Sequence, residues 1–152
     1  METNFINELH IVGITVRTTN ENGRAKKDIP ALWQKFFAEN VSAKVENKLN
    51  DNIYCIYTDY EKDHTKPYTT IVGYAVQNVN IVPEGLVAKF IAGGTYTKFT
   101  AKGKLDAGAV YNEWLNIWNT AIDRNYTTDF EVYDEKSLNQ IDAEVNIFVA
   151  VK

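Results

Sequence analysis

The sequence predicts an α+β fold: tandem β-α-β-β repeats related by a pseudo-two-fold, with an antiparallel sheet and two helices around a ligand cleft. Three observations predict it. Two helical segments carry apolar faces, Asp28-Ile-Pro-Ala-Leu-Trp33-Gln-Lys-Phe36-Phe37 and Asp106-Ala-Gly-Ala-Val-Tyr111-Asn-Glu-Trp114-Leu-Asn-Ile-Trp118. Each follows a strand-like segment, Leu9 to Arg17 and Val87 to Phe99, and each precedes two more, Ile53–Tyr57 with Ile71–Val79 and Phe130–Tyr133 with Val145–Val151. The landmarks also recur at similar spacing, Trp114 lying 81 positions after Trp33 and Tyr133 lying 76 after Tyr57.

Taken in order, Leu9 to Arg17 is rich in β-branched residues, as strands are. Thr18 to Lys27 is polar, contains Gly23 and reads as a loop. Asp28 is placed to cap a helix, with Pro30 in the first turn, where its missing N–H costs nothing. Ile29, Leu32, Trp33, Phe36 and Phe37 then fall at helical spacing. Asp51 to Asp59 is a strand, Tyr60 to Pro67 a charged turn, and Tyr68 to Val79 a second strand. Val82-Pro-Glu-Gly85 links the halves, which run over about residues 6–81 and 86–152 of one domain, 1–152. Val87–Ile91 and Thr95–Phe99 are strands broken at Gly93-Gly94. Val110, Tyr111, Trp114, Leu115, Trp118 and Ile122 form the stripe of the second helix. Asp123 to Thr128 reads as a loop, Asp129 to Asp134 as a strand and Val145 to Val151 as the closing strand.

Composition bounds the function. The chain has 152 residues, 45% of them hydrophobic, enough for one domain with a real core. Aromatic residues are the outlier, with nine Tyr, seven Phe and three Trp. Tyr and Trp suit surfaces that are apolar yet offer a hydrogen bond. A net charge of −4 and the short basic run Arg24-Ala-Lys26-Lys27 give no stripe for nucleic acid. Cys55 is the one cysteine, so no internal disulfide forms, and it reads as a small buried hydrophobe. No signal peptide and no membrane-length apolar run are seen, and a cytoplasmic protein is expected.

Familiar catalytic patterns are missing. The two histidines, His10 and His64, make no zinc set with Cys55. No Gly-rich phosphate loop and no Gly-x-Ser-x-Gly elbow occur. No cofactor and no metal are expected.

Glu131 is the candidate that remains. In Asp129-Phe-Glu-Val-Tyr-Asp134 a period of two puts Phe130 and Val132 on one face and Glu131 with Tyr133 on the other. On an edge strand Glu131 would sit in water. On a central strand it would put a negative charge on the floor of an aromatic cleft, a setting for a cation. Glu113 is the rival carboxylate, but neighbours one or two apart on a helix do not share a face, so it points away from Tyr111, Trp114 and Trp118. Trp33 and Trp114 fit either core or cleft wall. Tyr133 shares the parity of Glu131 and is assigned to the cleft.

The segments Asp28 to Trp33, Gly93 to Gly103, Tyr111 to Trp118, Phe130 to Tyr133 and Val145 to Val151 together resemble the GyrI-like, AraC-type effector-binding domain family, across nearly the whole chain. The resemblance implies a tandem β-α-β-β fold, binding of small organic cations or amphipathic compounds, and a carboxylate on the penultimate strand, at Glu131. It resembles the stand-alone members, including those encoded on integron cassettes, since only a few residues precede the first strand. No direct contact with nucleic acid and no membrane partner are expected; the regulatory members imply a protein partner in transcription regulation. The expected ligand-binding set is Glu131, Tyr133, Trp114, Tyr111, Trp118, Trp33, Tyr57, Phe36 and Phe148. Two alternatives stand beside the binding module: a hydrolase of small electrophilic compounds using Glu131 as base towards water, and an inhibitor of a gyrase-like partner.

Overall fold

Alternating β-branched and aromatic residues build eight strands, and two longer amphipathic segments build the flanking helices. The computed structural model describes residues 2–152. The strands are β1 (Glu2–Ile6), β2 (Leu9–Thr18), β3 (Ile53–Thr58), β4 (Tyr68–Val76), β5 (Val87–Ile91), β6 (Gly94–Gly103), β7 (Arg124–Tyr133) and β8 (Ala143–Val151). The helices are α1 (Arg24–Ala38), the short α2 (Val41–Lys44) and α3 (Ala109–Trp118). All strands join one antiparallel sheet in the order β1-β6-β8-β7-β3-β4-β2-β5.

That order reads the same from both ends once the halves are matched. β3-β4-β2 mirrors β7-β8-β6, and β3 meets β7 at the centre. The edge strands are exchanged: β1 precedes β2 in sequence but pairs with β6, while β5 precedes β6 but pairs with β2. Only Asn7 and Glu8 join β1 to β2, and only Ala92 and Gly93 join β5 to β6. Connections this short span about 11 Å at most. The two ends of the sheet must therefore curl towards each other. The connectors do pass closely, since a Cβ on Gly93 would lie 3.2 Å from the Ile6 carbonyl oxygen.

Curling gives the sheet two kinds of face. Ile11, Ile56, Ile71, Tyr96, Phe130 and Ala150 pack together on the side that carries no helix, all of them buried. The other side carries the helices. α1 lays Leu32 and Phe36 over Val12, Ile14, Val72 and Tyr74. α3 lays Trp114 and Ile117 over Phe99, Val145, Ile147 and Val149. Alternation along each strand serves both faces at once. Gly13 faces Gly73 across β2 and β4, and a Cβ on either would fall within 2.3 Å of the opposite backbone.

Several sequence expectations shift. β1 precedes the first strand marked by the sequence pattern and pairs along β6. α1 starts at Arg24 rather than Asp28, because Asn22 and Gly23 turn the chain through positive φ and the Ala25 N–H reaches the Thr19 carbonyl at 2.9 Å. Asp28 does not cap the helix; its carboxylate accepts from Thr18 Oγ1 at 2.9 Å. Pro30 therefore lies inside α1, not in its first turn. Phe37 is 62% exposed, although its spacing placed it with the stripe. α3 ends at Trp118, so Ile122 packs beneath it from the following loop. β7 begins at Arg124, within the span read as a loop, and the register shifts between Arg124 and Asp129.

Gly73→Ala is expected to destabilise the fold by about 1–3 kcal/mol, because the added methyl meets rigid backbone on β2 rather than a movable side chain. Urea denaturation of wild type and variant measures it. An unchanged midpoint would show that the Gly13–Gly73 approach is not required.

Candidate ligand-binding site

The pseudo-two-fold passes between the two central strands. The offset that carries Tyr57 to Tyr133 also carries Cys55 to Glu131, and Cys55 and Glu131 are direct register partners. Both side chains point to the helix face. Tyr57 and Tyr133 flank them, and the tryptophans cross over from the helices. Trp33 of α1 stands edge-on to Tyr133 of β7, with centroids 4.9 Å apart, and Trp114 of α3 stands edge-on to Tyr57 of β3, at 5.5 Å. The aromatic frame is therefore duplicated, while its centre is not: one half supplies a thiol and the other a carboxylate.

β7 is the fourth of eight strands and no edge, so Glu131 is only 1% exposed. Its Oε2 accepts from Tyr57 Oη at 2.7 Å and from Trp114 Nε1 at 2.7 Å, and its Oε1 accepts from Tyr133 Oη at 2.6 Å. Among the described residues no Lys, Arg or His forms an ion pair with it. Burial pushes its carboxyl above the usual value, and the three donors oppose that rise. Burial also pushes Tyr57 and Tyr133 up, so both remain protonated donors. Cys55 is fully buried, its thiol pushed up first by burial and then by the Glu131 charge, which makes it a poor nucleophile.

Above Glu131 opens a cavity of about 770 Å³ between α1 and α3. That is room for a drug-sized molecule. It brings together Glu131, Tyr133, Tyr57, Trp33, Trp114, Tyr111 and Trp118. Tyr111 stands at the rim, 43% exposed, with the Lys26 ammonium 5.2 Å from its ring. Phe36 and Phe148 do not reach the cavity. Phe36 lies beneath α1 against Tyr74, one helical step away from Trp33. Phe148 pairs with Phe130, whose parity is opposite to that of Glu131, and it lines a smaller hollow on the helix-free face. Glu113 stays out of the cavity as its helical position implies, and accepts from Asn116 at 3.0 Å.

The structure adds a polar corner that the sequence reading missed, built by Tyr60, His64 and Arg124. Arg124 and Asp129 flank the irregular stretch of β7, where Tyr126 takes a positive φ of 54°. That bulge turns the Arg124 guanidinium back towards Asp129, with Nη2 donating to Oδ2 at 2.8 Å. Asp129 is wholly buried and also accepts from Tyr60 Oη and from the Ala150 N–H. A bulge leaves no mark in hydrophobic periodicity, and His64 lies in a turn whose composition signals only solvation. Tyr68 and Asn20, which join the cavity wall, are linked by a 2.7 Å hydrogen bond.

Residues 6–151 match the family model Cass2, integron-associated effector binding protein. The chain is 30% identical over 144 residues to YobU of Bacillus subtilis (strain 168), covering 92% of this chain and 90% of that protein, whose name assigns it provisionally to the transcriptional regulators. Among solved structures it is similar to an integron cassette protein from the mobile metagenome of Vibrio cholerae, with a TM-score of 0.78, 29% identity, and 99% and 95% of the two chains covered. It is also similar in fold to SAV2435, solved bound to tetraphenylphosphonium, with a TM-score of 0.81, 19% identity, and 99% and 93% covered.

The raised carboxyl of Glu131 sets a pH dependence. As pH rises, the unfolded chain releases this proton first, near about 4.3. Between that value and the higher folded one the native state holds more protons, so stability falls with rising pH across the window and levels off above it. Glu131→Gln should flatten this slope, since its carbonyl oxygen can still accept from Tyr57 and Trp114 while its amide donates to Tyr133. Asp129, also raised by burial, leaves a smaller slope in the variant. Urea denaturation from about pH 4 to about pH 8 measures both proteins. Equal slopes would contradict the assignment.

Proposed function

The chain belongs to the integron-associated effector binding family, and from that premise we propose that it is a cytoplasmic receptor for small organic or amphipathic cations. The observation that carries the proposal is the buried Glu131 carboxylate, on the floor of an aromatic cavity and, among the described residues, without a cation of its own. Taking a carboxylate out of water is costly unless a counter-charge follows it. A ligand cation supplies that charge, and π faces among Tyr57, Tyr133, Trp33 and Trp114 offset its lost hydration. The Tyr57 and Tyr133 hydroxyls and the Trp114 indole N–H stay on Glu131, so the site does not have to rearrange its polar contacts to admit the ligand. The tetraphenylphosphonium bound by SAV2435 supports the same ligand class here, a bulky cation of delocalised charge.

A hydrolytic reading draws on the raised carboxyl of Glu131. The three donors that hold the carboxylate make it a weaker base than a bare buried one, which favours binding over turnover. The binding site itself needs no partner protein.

Calorimetric titration with tetraphenylphosphonium tests the proposal. Glu131→Gln removes the charge and keeps the shape, and should weaken binding about ten- to a hundred-fold, the loss of one charge-assisted contact. Triphenylphosphine oxide, a neutral aryl compound, should bind both proteins alike. The cation should also quench emission from Trp33, Trp114 and Trp118, all at the cavity wall. Equal affinity of wild type and variant for the cation would overturn the reading. Mass spectrometry of recovered ligand should show it unchanged, and product formation would favour the hydrolase.

A further inference from the structure

The His64 corner of the cavity has more donors than partners. Trp118 Nε1 and Arg124 Nε are both buried and both lack a hydrogen-bond acceptor among the described residues. Orphaned N–H groups are rare in native interiors, because each carries a desolvation cost with nothing to offset it. Here both belong to residues that touch one imidazole. The Trp118 indole stacks on His64 with centroids 5.2 Å apart and planes 10° from parallel. Arg124 Nη1 approaches His64 Nδ1 only at 3.5 Å, and Tyr126 Oη only at 3.4 Å. The imidazole thus occupies this corner without satisfying either orphaned donor.

Charge in this corner is balanced. The Arg124 side chain is 5% exposed, and Asp129, at 2.8 Å, neutralises it. Burial and the Arg124 charge hold His64 below its ordinary value, so the imidazole is neutral at neutral pH. A carboxylate placed here would meet a guanidinium that is already paired and the buried Asp129 beside it. A neutral oxygen meets no such penalty and still accepts.

We propose that the His64–Trp118–Arg124 corner is an acceptor subsite, taking a neutral carbonyl or ether oxygen of the same ligand whose cation lies at Glu131. The proposal rests on the organic-cation reading above and narrows it: the preferred ligand is a cation bearing an uncharged oxygen acceptor, not a purely hydrocarbon one. The turn that carries His64, between β3 and β4, is held to Asn20 through the His64 carbonyl at 2.7 Å. A shift of the imidazole alone exposes the Trp118 and Arg124 donors to the ligand and leaves that tether in place. His64 then acts as a removable filler of the subsite.

The test compares two cations of matched length, (4-phenylbutyl)trimethylammonium and its ketone (3-benzoylpropyl)trimethylammonium. Wild type should bind the ketone about five- to tenfold more tightly, one neutral hydrogen bond's worth. Trp118→Phe keeps the aromatic wall and removes the N–H, and should bring that ratio close to one. In nitrogen-15 spectra of wild type, the Trp118 indole N–H signal, assigned by its absence from Trp118→Phe, should move downfield with the ketone and much less with the hydrocarbon. A wild-type ratio near one, or a ratio kept in Trp118→Phe, overturns the subsite. Glu131→Gln separates the two levels. If it weakens both cations while the wild-type ratio is near one, the subsite alone falls; if neither cation binds wild type, both readings fall.

Discussion

The molecule is organised around the carboxylate of Glu131. Glu131 sits at the seam of the two halves, and its three hydrogen bonds draw on both. Tyr57 comes from the first half, and Tyr133 and Trp114 come from the second. Tyr57 and Tyr133 in turn brace the tryptophans of the opposite helices. The cavity between α1 and α3 is lined by this frame. With the carboxylate absent, the indole and two phenols would be buried donors without an acceptor, each costing about 1–3 kcal/mol. One acidic group thus ties the floor of the cavity to its walls.

Duplication explains the frame, and departure from it explains the chemistry. Two equal halves would place the same residue on both sides of the pseudo-axis. Here Cys55 faces Glu131, and the Trp33 indole stands by the thiol where Trp114 stands by the carboxylate. A second carboxylate at that distance would repel the first and hold one of the pair protonated. A thiol fills the volume, stays neutral when buried and leaves Glu131 as the acidic member of the pair. Asymmetry of this kind turns a symmetric scaffold into a site with a direction. The Arg124–Asp129 pair and His64 at one end extend it.

Much of this was legible in the residues. Strand parity separates Glu131 and Tyr133 from Phe130 and Val132, and the structure keeps that division, with Phe130 in the core of the curled sheet. Helical spacing finds Trp33, Tyr111, Trp114 and Trp118, all at the cavity. Phe36 and Phe148 show the limit of residue type as a guide. Phe36 shares the apolar stripe of α1 but lies deeper on it than Trp33, and Phe148 has the parity of the helix-free face. The exchanged strands β1 and β5 were not legible, because pairing between distant segments leaves no local pattern. Nor was the β7 bulge, which needs the register of β8 to be seen and which brings Arg124 to the site.

The ionisation of Glu131 tests the central claim most directly. Carbon-13 labelling of the glutamate side chains lets its carboxyl carbon be followed through a pH titration, with Glu131→Gln identifying the signal. The account predicts titration above the ordinary glutamate range in the free protein, because burial disfavours the charge. It predicts a fall once saturating tetraphenylphosphonium is present, because a cation at the carboxylate favours the charged form. A Glu131 that titrates like a surface glutamate and ignores the cation would contradict it.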